Sequence, residues 1–186
     1  MASTRSSCRS SVPDPDAPPQ GNDVELQGER LLLRPALDSD ADPLGEILSD
    51  PEVVPWWGPF NPDDAFDELE TSWVIVVDGD VAGWLLYHEE DWWQYRSVSF
   101  DIVIAPRLQG QGYGREALRT AIRHFICRGH HRFTIDPAAG NARAIATYLA
   151  VGFKRVGVLR AYEQREDGEW RDGLLMDLLV DEFIDG

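Results

Sequence analysis

Residues 97–128 read SVSFDIVIAPRLQGQGYGREALRTAIRHFICR, and this run decides the architecture. Its first part alternates: Val98, Phe100, Ile102 and Ile104 share one face, and Ser97, Ser99, Asp101 and Val103 the other. Alternation of this kind predicts a strand over 97–105, closed by Pro106. The end of the run has a different period. Tyr113, Ala117, Leu118, Ala121, Ile122, Phe125 and Ile126 follow the 3–4 spacing of a helix with one buried stripe, and Gly129 suits its C′ position. Between strand and helix lies Gln109-Gly110-Gln111-Gly112-Tyr113-Gly114. Glycines here let successive amides turn toward one point. Added to a helix N-terminus, such amides make an anion site suited to a diphosphate. A P-loop would need Gly-Lys-Ser/Thr, and no Lys is present. A Rossmann turn would need G-x-G-x-x-G early in a βαβ unit, whereas this run is G-x-G-x-G, in mid-chain, after hairpin strands.

Upstream, ELQGERLLLR (25–34) reads as one entering strand ended by Pro35. Asp38–Leu48 reads as a helix capped by Asp38, with Leu44, Ile47 and Leu48 on one face. The segment DPEVVPWWGPFNPDD (50–64) reads as a loop or short helical turn, and 65–70 as a short helix. Ser72–Asp78 and Val81–Glu90 form a hairpin around Gly79-Asp80. Downstream come a strand over Arg132–Asp136, a helix from an Asn141 cap to Val151 with Gly152 as its stop, and two strands, Phe153–Tyr162 and Trp170–Val180. Hairpins fill the first half and crossovers the second. The expectation is a mixed α/β sheet rather than a parallel one.

Composition bounds the partners. The 186 residues suit one domain, expected over 24–186, with a Ser/Pro/Asp-rich disordered tail over 1–23. The net charge is −16, and the residues after the tail carry −15 of it. A nucleic-acid binder would show a basic stripe instead. An acidic field draws in cations. No run approaches a membrane span, and Arg5 and Arg9 are not followed by an apolar export segment, so a cytoplasmic protein without a membrane partner is expected. Two cysteines, Cys8 and Cys127, are too few for a disulfide framework. His88, His124, His130 and His131 lack spaced partners for a zinc set, so no metal is expected.

Gln109, Gly112 and Gly114 fill Q-x-x-G-x-G, which resembles the acetyl-CoA pyrophosphate loop of the GNAT N-acetyltransferase superfamily. The stretch DPAAGNARAIATYLAVGFKRVG is similar to that superfamily's second cofactor motif, with Asn141, Tyr148, Gly152 and Phe153 at its marked positions. The resemblance implies about seven strands, a central parallel pair splayed apart, and about four helices. It implies acetyl-CoA as cofactor. Ile102, Val103 and Ile104 would pair their backbone with the pantetheine arm as a peptide adds to a sheet edge. The backbone from Gln109 through Gly110, Gln111, Gly112, Tyr113 and Gly114 to Arg115 would hold the pyrophosphate. Asn141 would bond the pantetheine or its acyl end.

Acetyl transfer to an amine needs a route for the ammonium proton, a donor for the oxyanion and a proton for the departing thiolate. Tyr148 is the candidate acid, since a phenol of pKa ~10 can donate toward a thiolate whose acid lies near ~8.5. Packing of Tyr148 with Ile145 and Leu149 is the alternative reading of its helix face. Asp101 and Asp136 are candidates to bind the ammonium or relay its proton. VVPWWG (53–58), TIDPAAGNARAI (134–145) and Glu90-Asp91-Trp92-Trp93 are similar to segments of aminoglycoside 6′-N-acetyltransferases. That resemblance implies a polycationic small-molecule acceptor, lined by Trp56, Trp57, Asp91, Trp92, Asp101 and Asp136, with Glu52 and Asp172 weaker, and a monomer or homodimer. Two other readings stay open. One is a ribosomal-protein-type N-terminal acetyltransferase, which shares the LQGERLLLRP entry. The other is a non-catalytic acyl-CoA-binding domain.

Overall fold

The computed structural model describes residues 24–58, 71–165 and 167–185. The expected tail over 1–23, the helix over 65–70 and part of the proline-rich loop lie outside the described residues. Among the described residues eight strands form one sheet: β1 (Leu26–Gln27), β2 (Leu32–Pro35), β3 (Ser72–Val77), β4 (Asp80–Glu90), β5 (Ser97–Ile104), β6 (Arg132–Ile135), β7 (Lys154–Gln164) and β8 (Trp170–Leu179). The described helices are α1 (Ala41–Leu48), α2 (Val54–Trp57), α3 (Tyr113–Cys127) and α4 (Ala142–Val151). The sheet order is β1-β2-β3-β4-β5-β6-β8-β7, and β5–β6 is its parallel pair.

The count of eight rather than seven comes from the entry segment. Residues 25–34 are not one strand but the hairpin β1–β2, closed where the Gly28 amide donates to the Leu31 carbonyl. The β3–β4 turn is also displaced by one residue, onto Asp78-Gly79, both at positive φ. That is the backbone twist a two-residue hairpin needs. Asp38 does not cap the first helix. Asp40 is the buried carboxylate there, accepting from both ends of the Arg34 guanidinium and from the Leu37 amide.

Alternation along the strands sorts the core onto two faces. Trp73, Ile75, Leu85, Tyr87, Val98 and Phe100 point to one side, under α3 and α4, with Leu118, Ile122, Phe125 and Tyr148. Val74, Trp84, Leu86 and Val103 point to the other, under α1 and α2, with Leu44, Leu48 and Val53. β3 is therefore buried on both faces and carries an unbroken apolar run. Among the described residues no helix is long and apolar enough to cross a membrane.

Candidate active site

The parallel pair is short. Ser97, Val98 and Ser99 pair with Arg132, Phe133 and Thr134, and there the pairing stops. β5 continues for five further residues, to Ile104, while β6 ends at Ile135 and the chain turns away at Asp136-Pro137. The gap opens into a cleft of about 1420 Å³ that reaches from α2 to the start of α3.

At one end of the cleft stands the glycine loop. Gly110 and Gly112 have φ of +77° and +92°, left-handed values that a side chain disfavours. Gly112 occupies the N-cap of α3 and offers no side chain to its first amides. The first N–H groups of a helix have no intrahelical partner, so those of Tyr113, Gly114 and Arg115 are left to a ligand. A Cβ on Gly110 would meet nothing within 4 Å, and Gly110, Gly112, Tyr113, Gly114 and Arg115 all line the cleft. These features fit the diphosphate of a coenzyme. Arg115 and Arg143 line the same end and add positive charge.

The loop is braced from behind. The Gln109 amide group donates to the Ile104 carbonyl at 2.8 Å and accepts from Arg143. Gln109 thus fastens the loop to the end of β5. Gln111 does not line the cleft. Its side chain donates to the Arg107 carbonyl, and its own carbonyl accepts from Arg30. Arg30 also lies over the Tyr113 ring and pairs with Glu116. The Asn141 side chain caps α4 by accepting from the Ala144 amide at 3.1 Å, while Asn141 itself lines the cleft.

At the point where the strands part, Asp101 stands two residues beyond Ser99 and Asp136 two residues beyond Thr134. Both line the cleft. Tyr148, buried on α4 with its ring 6.1 Å from that of Phe153, faces them. Burial raises the Tyr148 phenol well above the ordinary tyrosine value, and the charges of Asp101 and Asp136 push it further. Tyr148 is therefore protonated at any working pH.

Tyr162 was not legible as a site residue. Three residues of β7, Arg160 to Tyr162, bulge opposite Asp172 of β8, with Ala161 at φ +47° and its amide held by the Asp172 carboxylate at 2.8 Å. The Tyr162 ring lies against Gly173, where a Cβ would come within 2.8 Å of it. The bulge directs this phenol to Asp136, and the hydrogen bond it donates there, followed by burial and the charges of Asp136, Asp101 and Glu163, pushes it up to about 12.

The acceptor end is walled by α2 and the β7–β8 hairpin. Trp56 is exposed toward the cleft, and Trp57 lines it while also packing on Trp84, 6.1 Å between ring centroids. Glu52, His88 and Glu163 line it too. Asp91 and Trp92 do not. They follow β4 at the opposite end of β5, where Asp91 pairs with Arg96 and Trp92 is exposed to solvent. There the fold assembles Glu89, Asp91 and His130, with ligand atoms within 4.8 Å, a grouping the sequence spacing hid. Arg128 already pairs with Glu89 at 2.9 Å, Arg96 with Asp91 at 2.5 Å, and His130 Nε2 lies 3.1 Å from Glu89. Guanidinium groups supply the countercharge a cation would bring. His130 is buried, just past the C-terminus of α3, where its amide donates to the Phe125 carbonyl.

Residues 30–154 match the acetyltransferase (GNAT) domain family. The chain belongs to that family, and it is an acetyl-CoA-dependent acetyltransferase. It is 29% identical over 163 residues to streptothricin acetyltransferase of Streptomyces lavendulae, covering 84% of this chain and 80% of that protein. It is 25% identical over 169 residues to spermidine N(1)-acetyltransferase of Vibrio cholerae, covering 83% and 96%. It is 35% identical over 81 residues to the ribosomal protein bS18-alanine N-acetyltransferase of Escherichia coli K12, covering 44% of this chain and 54% of that protein. The fold superposes on Mycobacterium smegmatis RimJ in complex with CoA-disulfide with a TM-score of 0.72, at 24% identity over 86% of this chain and 87% of RimJ.

Proposed function

We propose that the protein transfers an acetyl group from acetyl-CoA to a primary amine of a small polycationic acceptor, with the 6′-amine of an aminoglycoside as the specific candidate. The observation that carries this reading is the pair Asp101 and Asp136 at the parting of β5 and β6, both acting on Tyr148. Two carboxylates with aromatic walls suit an acceptor that bears several ammonium groups. The relatives named for streptothricin and spermidine span most of the chain and support a small acceptor.

The coenzyme brings the acetyl thioester, and the chain's residues do the rest. The free edge of β5 at Ile102, Val103 and Ile104 lines the arm, and the amides of the glycine loop take the diphosphate. Asp136, held by Tyr162, binds an acceptor ammonium. A carboxylate that binds an ammonium also raises its pKa, which opposes deprotonation. The roles are therefore divided: Asp136 anchors, and the more exposed Asp101 accepts the proton through water. Tyr148 donates toward the departing sulfur. Its raised pKa means that it serves first as a hydrogen-bond donor to that sulfur.

A thiol-release assay with acetyl-CoA tests the reading. Spermidine and aminoglycosides bearing a 6′-amine or a 6′-hydroxyl are compared with N-terminal alanyl peptides. Turnover of the 6′-amine compounds is expected, and its loss in the 6′-hydroxyl series. The bS18-directed relative supports a second reading, protein N-terminal acetylation, and turnover of the peptides alone would establish it in place of the first.

A further inference from the structure

Helix α2 is four residues long, too short to hold itself together, and it carries Trp56 and Trp57 into the acceptor end of the cleft. Its last carbonyls have no helical partner. They are taken by Arg171 of β8, which donates to the Pro55 carbonyl and, at 3.2 Å, to the Trp56 carbonyl. The other edge of the same guanidinium is forked onto Glu163, its cross-strand neighbour on β7, at 2.7 and 2.5 Å. The Arg171 side chain is only 17% exposed. A cation at a helix C-terminus is favourable in itself, and a planar fork can serve two partners at once where an ammonium cannot.

Pro55 and Trp56, whose carbonyls Arg171 holds, stand between two cavities. Glu52, Pro55, Trp56 and Trp57 line the cleft from one side, Tyr162 and Glu163 from the other. The second cavity, of about 490 Å³, shares Pro55 and Trp56 with the cleft, and Arg171 is part of its wall together with Trp170 and Asp172. Resting on the acceptor reading above, we infer that Arg171 is a positioning residue for the acceptor. By tying α2 to the β7–β8 hairpin it sets the width of the acceptor end and limits how bulky an acceptor can be. The coenzyme's loop at 109–115 is braced by Arg30, Gln109 and Arg143 and does not depend on this tie.

Arg171→Met, Arg171→Lys and Glu163→Gln test this. In Arg171→Met the acceptor KM rises about tenfold or more while the acetyl-CoA KM holds, and the ranking of acceptors by size flattens. Arg171→Lys keeps the charge without the fork and recovers only part of the loss; Glu163→Gln is intermediate and covers the case in which Arg171→Met does not fold. An acetyl-CoA KM that changes in step, or an unchanged acceptor KM, overturns the inference. A readout without turnover separates it from the acceptor reading: chymotrypsin cuts after Trp56 and Trp57 faster in Arg171→Met and in Glu163→Gln than in the parent. If the parent acetylates no small amine, the acceptor reading falls and this cleavage rate still decides the tie. Equal cleavage of parent and variants overturns it.

Discussion

Ser99 and Thr134 are the last residues at which the two parallel strands pair. Beyond them β5 and β6 part, Asp101 and Asp136 stand on the two arms of the opening, and Tyr148 closes it from α4. The site is built at the place where a sheet stops being a sheet.

Tyr148→Phe removes the hydroxyl and leaves the ring against Phe153. If Tyr148 serves the departing sulfur, turnover falls by roughly 10²–10⁴-fold with coenzyme affinity retained. Steady-state kinetics with a calorimetric titration of coenzyme A checks both parts. An unchanged rate assigns Tyr148 to packing alone.

Much of this was readable from the chain. The alternation of 97–104, the 3–4 stripe of α3 and the glycine loop between them are local patterns, and they placed the strand, the helix and the loop at one end of the cleft. The hairpin in 25–34 was missed because Leu31, Leu32 and Leu33 read as one apolar run, although Gly28 marked the turn. Asp91 and Trp92 were misjudged because a local resemblance does not show which end of β4 faces the cleft. Tyr162, Arg143 and Arg171 were invisible for a different reason. Their roles come from a bulge, a helix end and a cross-strand pair, all set by contacts between distant parts of the chain.

Tyr162 titrates late because it donates to Asp136. Spectrophotometric alkaline titration of the folded protein should show a phenol near 12, and Asp136→Asn should return it toward the ordinary value of about 10. A phenol pKa raised by folding stabilises the protein below the unfolded value, and that share is lost as pH rises through the folded one. The stability gap between parent and Asp136→Asn should therefore be full below about pH 10 and narrow as pH rises toward about 12. No change in the titration would break the Tyr162–Asp136 pairing.

Asp40 tests the scaffold beneath the site. Burial pushes its carboxyl up, but the hydrogen bonds from Arg34 and the Leu37 amide outweigh it and hold the group below its ordinary value. A depressed carboxylate contributes stability above the unfolded pKa of about 3.9 and loses it as pH falls through the folded value. Asp40→Asn leaves Arg34 short of its partner and should cost about 2–3 kcal/mol by urea unfolding at neutral pH. The gap between parent and variant should narrow in acid. A constant gap across that range would mean the charge is not what matters.

Gly112 sits at φ +92°, and an added Cβ would also approach the Arg30 guanidinium to 3.3 Å. Gly112→Val distorts the first turn of α3. Coenzyme A affinity should drop by about tenfold or more, with the acceptor KM little changed. Isothermal titration measures the first and initial-rate kinetics the second. Equal loss of both would place the damage in the fold rather than the loop.

Amide hydrogen exchange with and without coenzyme A tests the central claim most directly. Ligand should slow exchange across Gly110–Arg115 and along Ile102–Ile104, while β7 and β8 stay as they were. Protection that appears on the hairpin or at the far end of β5, with the glycine loop still exchanging freely, would contradict the account.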